Sequence, residues 1–364
     1  MGFMPGGDAE QYRSVVRGFL AVESSEARVR QAMDTESGFD PKVWARAAEQ
    51  LGLPGLAVPE QYGGAGAGLT ELGVVFEEAG RALLCAPLLA SVGLAATGLM
   101  AAASEDAKDQ YLPPIAAGES IATLAWDGPS PATSSLWSDH GRITGTAGYV
   151  LGGGAADVVV VAARDGQGLG LYIVDGHAEG LSRTPLTTMD STRRLARLRF
   201  DDTPAVLVGT DVAEPIARAF DISLLLLAAE QVGGAQAALD SAVGYARQRI
   251  QFGRPIGSFQ AVKHRCADML MDVELARSLA YHGLATAADD SAATATAASL
   301  ARSFCSDAYV HVAAANLQIH GGIGFTWEHS AHLYLKRAKS SALLFGTPTA
   351  HRRRLAEQLG LGAR

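Results

Sequence analysis

The 364-residue chain is 48% hydrophobic, which is enough for a sizeable buried core in two or three subdomains. Its net charge of -8 at pH 7 argues against a nucleic-acid surface, because phosphate contacts need clustered Lys and Arg. Three scattered cysteines, no signal-peptide pattern and no apolar run of membrane-spanning length predict a cytoplasmic protein without a membrane span. No spacing typical of metal ligands is present, so we expect no metal site.

The first third of the chain has helical periodicity, from Ala9 to about Gly118. Within it, the glycine-rich loop from Pro59 to Gly68 lacks the Lys-Ser/Thr that follows a phosphate-binding loop. We therefore predict that this loop is a turn that leads into a helix from Thr70 to Leu84.

The middle of the chain has a different pattern, with short β-prone runs separated by Gly, Asp and Pro. The predicted strands are Ile121–Trp126, Arg142–Thr146, Val158–Ala163, Leu169–Val174 and Leu195–Phe200. Helical character returns near Val212 and continues almost to the end. The sequence thus predicts an α+β protein with an N-terminal helical domain (1–118), a small antiparallel β domain (119–208) and a C-terminal helical bundle (209–364).

The stretch from Tyr245 to Gln260 joins two of the predicted long helices and combines charged, aromatic and amide side chains. Arg249 and Phe252 are three residues apart and would share one helix face. A guanidinium can bind a phosphate bidentately while a ring lies on an aromatic ligand, and Gln260 adds an amide nearby. A charged interhelical turn with a phenylalanine plug is the alternative interpretation.

A second stretch follows the helical run from Ala298 to Leu317 and contains Gln318, Gly321 and Gly322. Closely spaced glycines let a backbone approach a ligand, and N–H groups beside a helix end suit a phosphate. A helix C-cap followed by a turn would give the same pattern.

Together, the two stretches resemble the flavin-binding signatures of the acyl-CoA dehydrogenase family. The acidic pair and Gly-Arg at positions 77–81, and the order of helices, strands and helices, extend the resemblance over nearly the whole chain. It implies FAD as cofactor and an acyl-CoA substrate, which loses a proton from Cα and a hydride from Cβ. The cofactor-binding positions that it implies are Arg249, Phe252, Gln260, Gln318, Gly321, Gly322 and Thr347.

The chain departs from the family at the catalytic base. The family's glutamate directly before Gly-Thr is replaced here by Phe345. A minority of the family carries the glutamate on an earlier helix, at a position that corresponds to Ser223, and an arginine often found beside it is replaced by Leu224. Serine at its ordinary pKa cannot act as a carboxylate base, so we assign no catalytic residue.

The segments that contact the flavin ring in the family also differ. The family's Thr-Glu-Pro-Gly segment corresponds to the run from Leu124 to Pro129, and its Trp-Ile-Thr corresponds to Tyr149, Val150 and Leu151. Leucine cannot make the threonine's hydrogen bond to the flavin.

These combined losses resemble the base-less subunit of the α2β2 acyl-CoA dehydrogenases of steroid-degrading actinobacteria. The resemblance implies that the chain completes the FAD site of a homologous, glutamate-bearing subunit. One alternative is a flavin monooxygenase on the same fold. Another is a homo-oligomeric dehydrogenase whose base is Glu230, Asp127 or Glu328, although the favoured interpretation of Glu230 is a buried group bonded to a neighbouring helix.

Overall fold

The computed structural model describes residues 4–289 and 292–361. The helices in this part of the chain are α1 (Gly7–Glu23), α2 (Glu26–Met33), α3 (Pro41–Leu51), α4 (Leu69–Arg81), α5 (Thr97–Ala102), α6 (Glu105–Ala116), α7 (Ala213–Gln248), α8 (Gln260–Ala288), α9 (Thr294–His320), α10 (Ala331–Leu343) and α11 (Pro348–Gln358). The strands are β1 (Ala122–Ala125), β2 (Trp137–Asp139), β3 (Arg142–Leu151), β4 (Val158–Arg164), β5 (Leu169–Asp175), β6 (Leu181–Pro185), β7 (Leu195–Pro204), β8 (Val206–Gly209), β9 (Ile250–Gln251) and β10 (Arg254–Pro255). The predicted α+β class is confirmed.

Local sequence signals explain where the helices begin and end, as α3 illustrates. The Asp40 side chain accepts a hydrogen bond from the Lys42 amide, and Pro41 occupies the first helical turn. Gly52 ends the helix in the left-handed conformation. A π-helical stretch, Leu88–Ala96, leads into α5.

The chain divides into two compact units. One contains residues 30–72 and 85–223, and the other contains residues 1–29, 73–84 and 224–364. The sequence-based division at positions 118 and 208 stays a prediction.

The unit of residues 30–72 and 85–223 is built on a sheet with the strand order β6-β7-β3-β2-β4-β5-β8, in which β1 pairs with β4. Most of its pairings are antiparallel, as predicted, but β4 pairs in parallel with both β1 and β2. Its core consists of alternating inward-facing residues of β3, β4, β5 and β7, such as Ile143, Val159 and Leu198. The loop from Pro59 to Gly68 bonds its amides to nearby carbonyls, which fits the predicted turn.

The other unit is a helical bundle in which α7, α8, α9 and α10 share a core of small and aliphatic side chains. Helices α4 and α7 cross closely, because a Cβ at Gly80 would lie 1.9 Å from the Glu230 carbonyl oxygen. A Cβ at Gly233 would likewise lie 1.7 Å from the Glu77 carbonyl oxygen. Only glycine fits at these two positions.

Helix α7 is long and apolar enough to cross a membrane by length and composition alone. However, 83% of its most apolar 18-residue window is buried inside the protein, as in the core helix of a soluble protein.

Candidate functional site

The turn after α7 displays its side chains on the surface of the helical unit. Arg249 follows the last residue of α7, and the hairpin of β9 and β10 turns the chain toward α8. The side chains of Arg249 and Gln260 are exposed, and Phe252 is 90% exposed. The Arg254 guanidinium lies 4.1 Å from the centroid of the Phe259 ring, a cation–π contact that stiffens the base of the hairpin.

Phe252 combines strain with exposure. Its φ of 53° lies in the left-handed region, which is unusual for a bulky residue. Such strain costs of order 1–3 kcal/mol and clusters at functional sites. Hydrophobic burial does not explain the arrangement, because the ring is almost fully exposed. The turn thus presents an aromatic face outward, as stacking on a ligand would require.

The glycine loop begins where α9 ends at His320. Gly321 has a φ of 63°, and a Cβ at Gly321 or Gly322 would meet no atom within 4 Å. The absence of packing around Gly322 leaves its backbone open for a ligand to approach. The Gln318 side chain on the last turn of α9 is also exposed.

Ring stacking brings the two stretches together. The Tyr245 ring, one turn before Arg249, stacks on the His320 ring with centroids 4.4 Å apart. The centroid of the His329 ring also lies 4.3 Å from that of His320. Burial, helped by neighbouring His329, lowers the pKa of His320, which therefore stays neutral near pH 7. The sequence does not reveal this contact, because 75 positions separate Tyr245 from His320.

The corner after α10 carries Phe345, at the position where the resemblance leads us to expect the family's base. Phe345 has a φ of 62° and is half-buried, and Thr347 accepts a hydrogen bond from the Ala350 amide as the N-cap of α11. The cap uses an oxygen lone pair of Thr347 and leaves its hydroxyl proton able to donate. The fully buried Arg302 guanidinium donates to the carbonyls of Ser341 and Leu344, at 2.9 Å each. The corner is thus rigidly held but carries no carboxylate.

His351 supports the same corner, and its Nε2 donates to the Phe345 carbonyl at 3.2 Å. Burial, with the nearby cations Arg302 and Arg354, lowers the pKa of His351 from 6.5 to about 4. The folded state thus binds fewer protons than the unfolded state between these values, and stability falls as the pH drops from 6.5 to 4. We expect a loss on the order of 3 kcal/mol from this group.

Urea unfolding of the chain at pH values from 7 to 4 measures this loss. The His351→Gln variant should show a shallower decline in the free energy of unfolding. His140→Gln, which alters an exposed histidine on the β2–β3 turn, should retain the wild-type decline. An identical decline in the His351→Gln variant would show that another group dominates.

The other candidate bases are held in structural bonds or lie on the surface. The Ser223 hydroxyl is buried and donates to the carbonyls of Gly93 and Ala219. Glu230 is buried, and its carboxylate accepts a hydrogen bond from Arg337 Nη1 at 2.8 Å. It matches the interpretation of a buried group bonded to a neighbouring helix. Asp127 and Glu328 are exposed.

The segments expected to correspond to the family's flavin-ring contacts are partly buried in their unit. Leu124, Val150 and Leu151 are buried. Trp126 packs edge-on against the Phe220 ring, with centroids 5.5 Å apart. Tyr149 and Asp127 of the same segments are exposed, whereas Leu151, at the position expected for the family's threonine, is a buried hydrocarbon side chain. Among the described residues, no group of three or more His, Cys, Asp or Glu is arranged to hold a metal ion.

Helical, sheet and long-helix segments in this order, with an Arg-x-x-Phe turn beside a glycine loop, define the class of flavin-dependent acyl dehydrogenases. The family model for the acyl-CoA dehydrogenase N-terminal domain matches residues 7–119, and that for the C-terminal domain matches residues 214–360. The chain belongs to the acyl-CoA dehydrogenase family, whose members bind FAD.

Sequence and structure comparisons refine this placement. The chain is 39% identical over 355 residues to acyl-CoA dehydrogenase IpdE2 of Mycobacterium tuberculosis, covering 98% of each. It is similar to a chain of the ChsE4–ChsE5 complex from Mycobacterium tuberculosis, with a TM-score of 0.91, 28% identity and full coverage of both chains. It is also similar to the Tcur3481–Tcur3483 steroid ACAD, with a TM-score of 0.88, 30% identity, and coverage of 97% of this chain and 98% of that one.

Proposed function

We propose that this chain is the base-less subunit of a hetero-oligomeric acyl-CoA dehydrogenase and supplies the nucleotide-binding half of its partner's FAD site. The main observation in favour of this proposal is a difference between two sets of residues. The groups suited to a nucleotide tail are exposed on the helical unit, whereas the positions expected for the family's base and for its flavin-bonding threonine hold Phe345 and the buried Leu151.

The exposed residues of the Arg249 turn and the glycine loop suit the negatively charged nucleotide half of FAD. Between Asp240 and Asp268 the chain has no acidic residue. Over the same span it has five exposed cations, namely Arg247, Arg249, Arg254, Lys263 and Arg265. Arg249 would pair with the pyrophosphate, and Phe252 would lie against an aromatic part of the cofactor. Gln318 and the backbone around Gly321 and Gly322, where an added Cβ would meet no atom within 4 Å, would contact its polar groups.

The chain's own residues do not fit the reactive half of the cofactor. Bound FAD supplies the hydride acceptor of this reaction, and the substrate's α-proton needs a carboxylate. Phe345 and Ser223 occupy the two base positions known in the family. Glu230 forms a buried ion pair with Arg337. The base and the ring contacts would therefore come from a homologous partner. The likeness to a chain of the ChsE4–ChsE5 complex supports such a partnership.

The proposed substrate is an acyl-CoA thioester, which the complex converts into a 2,3-enoyl-CoA. The likeness to a steroid ACAD supports an acyl group derived from a steroid. We place this activity in the cytoplasm.

A comparison of the chain alone with the co-expressed pair tests the proposal. We expect the chain alone to hold FAD substoichiometrically and to show no dehydrogenation of acyl-CoA with an artificial electron acceptor. Co-expression with a glutamate-bearing homologue should restore both the flavin-to-chain ratio and turnover. The measurements are the flavin absorbance per chain and the rate of acceptor reduction.

Full flavin content and full turnover by the single chain would contradict the proposal. That result would favour a homo-oligomeric dehydrogenase with an unusual carboxylate base. Oxygen consumption driven by reduced flavin, without an enoyl-CoA product, would instead favour a monooxygenase.

A further inference from the structure

Three stacked rings join the two surface stretches assigned to the nucleotide. We propose that Tyr245, His320 and His329, here called the ring stack, are positioning residues that hold the Arg249 turn and the glycine loop in one fixed relation. The inference rests on the proposed function for the identity of the ligand, but the mechanical coupling can be tested without flavin.

The geometry of the ring stack suits a rigid connection. Tyr245 and His320 are stacked at an interplanar angle of 29°, with centroids 4.4 Å apart. His320 and His329 are tilted by 49°, with centroids 4.3 Å apart. His320, between the other two, is only 5% exposed. Aromatic pairs at such distances contribute about 0.5–1.5 kcal/mol each beyond their buried area.

Backbone bonds connect the Tyr245 end of the stack to the Arg249 turn. The Arg249 amide donates to the Tyr245 carbonyl at 2.9 Å, and the Ile256 amide donates to the Arg249 carbonyl at 2.8 Å. A Cβ at Gly257 would lie 2.9 Å from the Ala246 carbonyl oxygen, so the turn that follows the hairpin packs against the end of α7. A shift of Tyr245 would thus carry Arg249 and the hairpin with it.

The other two rings are fixed to the glycine loop and to α10. His320 Nδ1 donates to the Asn316 carbonyl at 2.9 Å, which orients its ring at the end of α9, directly before Gly321. His329 Nδ1 accepts a hydrogen bond from the Ala331 amide at 3.0 Å, at the start of α10. The glycine loop therefore lies between two anchored rings. Loss of the central ring should release both stretches together.

Deuterium exchange of the flavin-free chain tests this coupling. We expect His320→Ala to accelerate amide exchange about tenfold in both segments 249–256 and 321–325, a factor that corresponds to about 1.4 kcal/mol of lost stacking. His320→Phe retains a stacking ring and should restore near-wild-type rates in both segments. The matched control is His311→Ala, an exposed histidine on the same helix that bonds to Asp272. It should leave both segments unchanged.

Acceleration confined to 321–325, with wild-type rates in 249–256, would overturn the inference. Should His320→Ala destabilise all of α9, Tyr245→Ala tests the coupling from the opposite end. This variant should accelerate exchange in 321–325, and unchanged rates there would equally refute the inference. Failure of the wild-type hetero-complex to bind FAD would refute the proposed function and leave these exchange results valid.

Discussion

Replacing Arg249 with alanine should raise the dissociation constant of FAD for the hetero-complex about 10- to 100-fold. Hydrogen bonds to charged groups contribute about 1.5–3 kcal/mol, and a bidentate guanidinium–phosphate pair is among the stronger kinds. Arg249 is exposed and follows directly after α7, so its truncation leaves the helical core intact. Titration of the flavin-free complex with FAD, followed by flavin fluorescence, measures the change.

Two further variants separate geometry from charge. Arg249→Lys retains the charge but loses the planar fork, so we expect an affinity between those of the wild type and the alanine variant. Arg352→Ala removes an exposed cation that pairs with Asp307, and it should bind FAD like the wild type. Equal affinities for the wild type and Arg249→Ala would remove Arg249 from the proposed nucleotide site.

The sequence predicted the helical segments and five of the strands because their signals are local. The long apolar run before Arg249 forms α7, and the predicted helix from Thr70 corresponds to α4. Five strands were missed, three in the large sheet and the two-residue strands β9 and β10 of the hairpin after α7. Trp137–Asp139 and Val206–Gly209 are too short for an alternating pattern to stand out, and Leu181–Pro185 has no buried face. The parallel pairing of β1 with β4 depends on distant segments and has no local signal.

The features of the candidate site likewise include some that the sequence predicted and some that it did not. The resemblance to the family's flavin-binding signatures predicted that Arg249, Phe252 and the glycine loop serve one ligand, and the structure places the two stretches in one unit, joined by the Tyr245 and His320 rings. The sequence did not predict the contact between Tyr245 and His320, because no local pattern links two rings that are so far apart along the chain. The role of Arg302 was also missed. It lies in a helix of mostly alanines and other small residues, and an arginine in such a buried helix could have indicated a buried hydrogen-bond donor.

The largest effect on stability should follow from Glu77→Ala, which we expect to cost about 3–5 kcal/mol. Glu77 is only 3% exposed and accepts hydrogen bonds from Arg13 at 2.7 Å, from Tyr281 at 2.6 Å and from Arg277. Burial raises the pKa of Tyr281, so its hydroxyl stays protonated and donates. Removing the carboxylate leaves the buried positive charges of Arg277 and Arg13 without this negative partner. A guanidinium stays protonated in proteins, so neither arginine can lose its charge.

Urea unfolding of the chain measures this cost as a lower midpoint at an unchanged slope. Glu274→Ala is the matched control, since it removes an exposed carboxylate 3.7 Å from Arg277 Nε and should cost no more than about 1 kcal/mol. The network joins α1, α4 and α8 within the helical unit, which also carries the Arg249 turn and the glycine loop. A cost below 1 kcal/mol for Glu77→Ala would mean that Glu78, which also bonds Arg13, compensates for the loss. The buried guanidinium of Arg13 would then be balanced by Glu78, and the network would tolerate the loss of one of its two buried carboxylates.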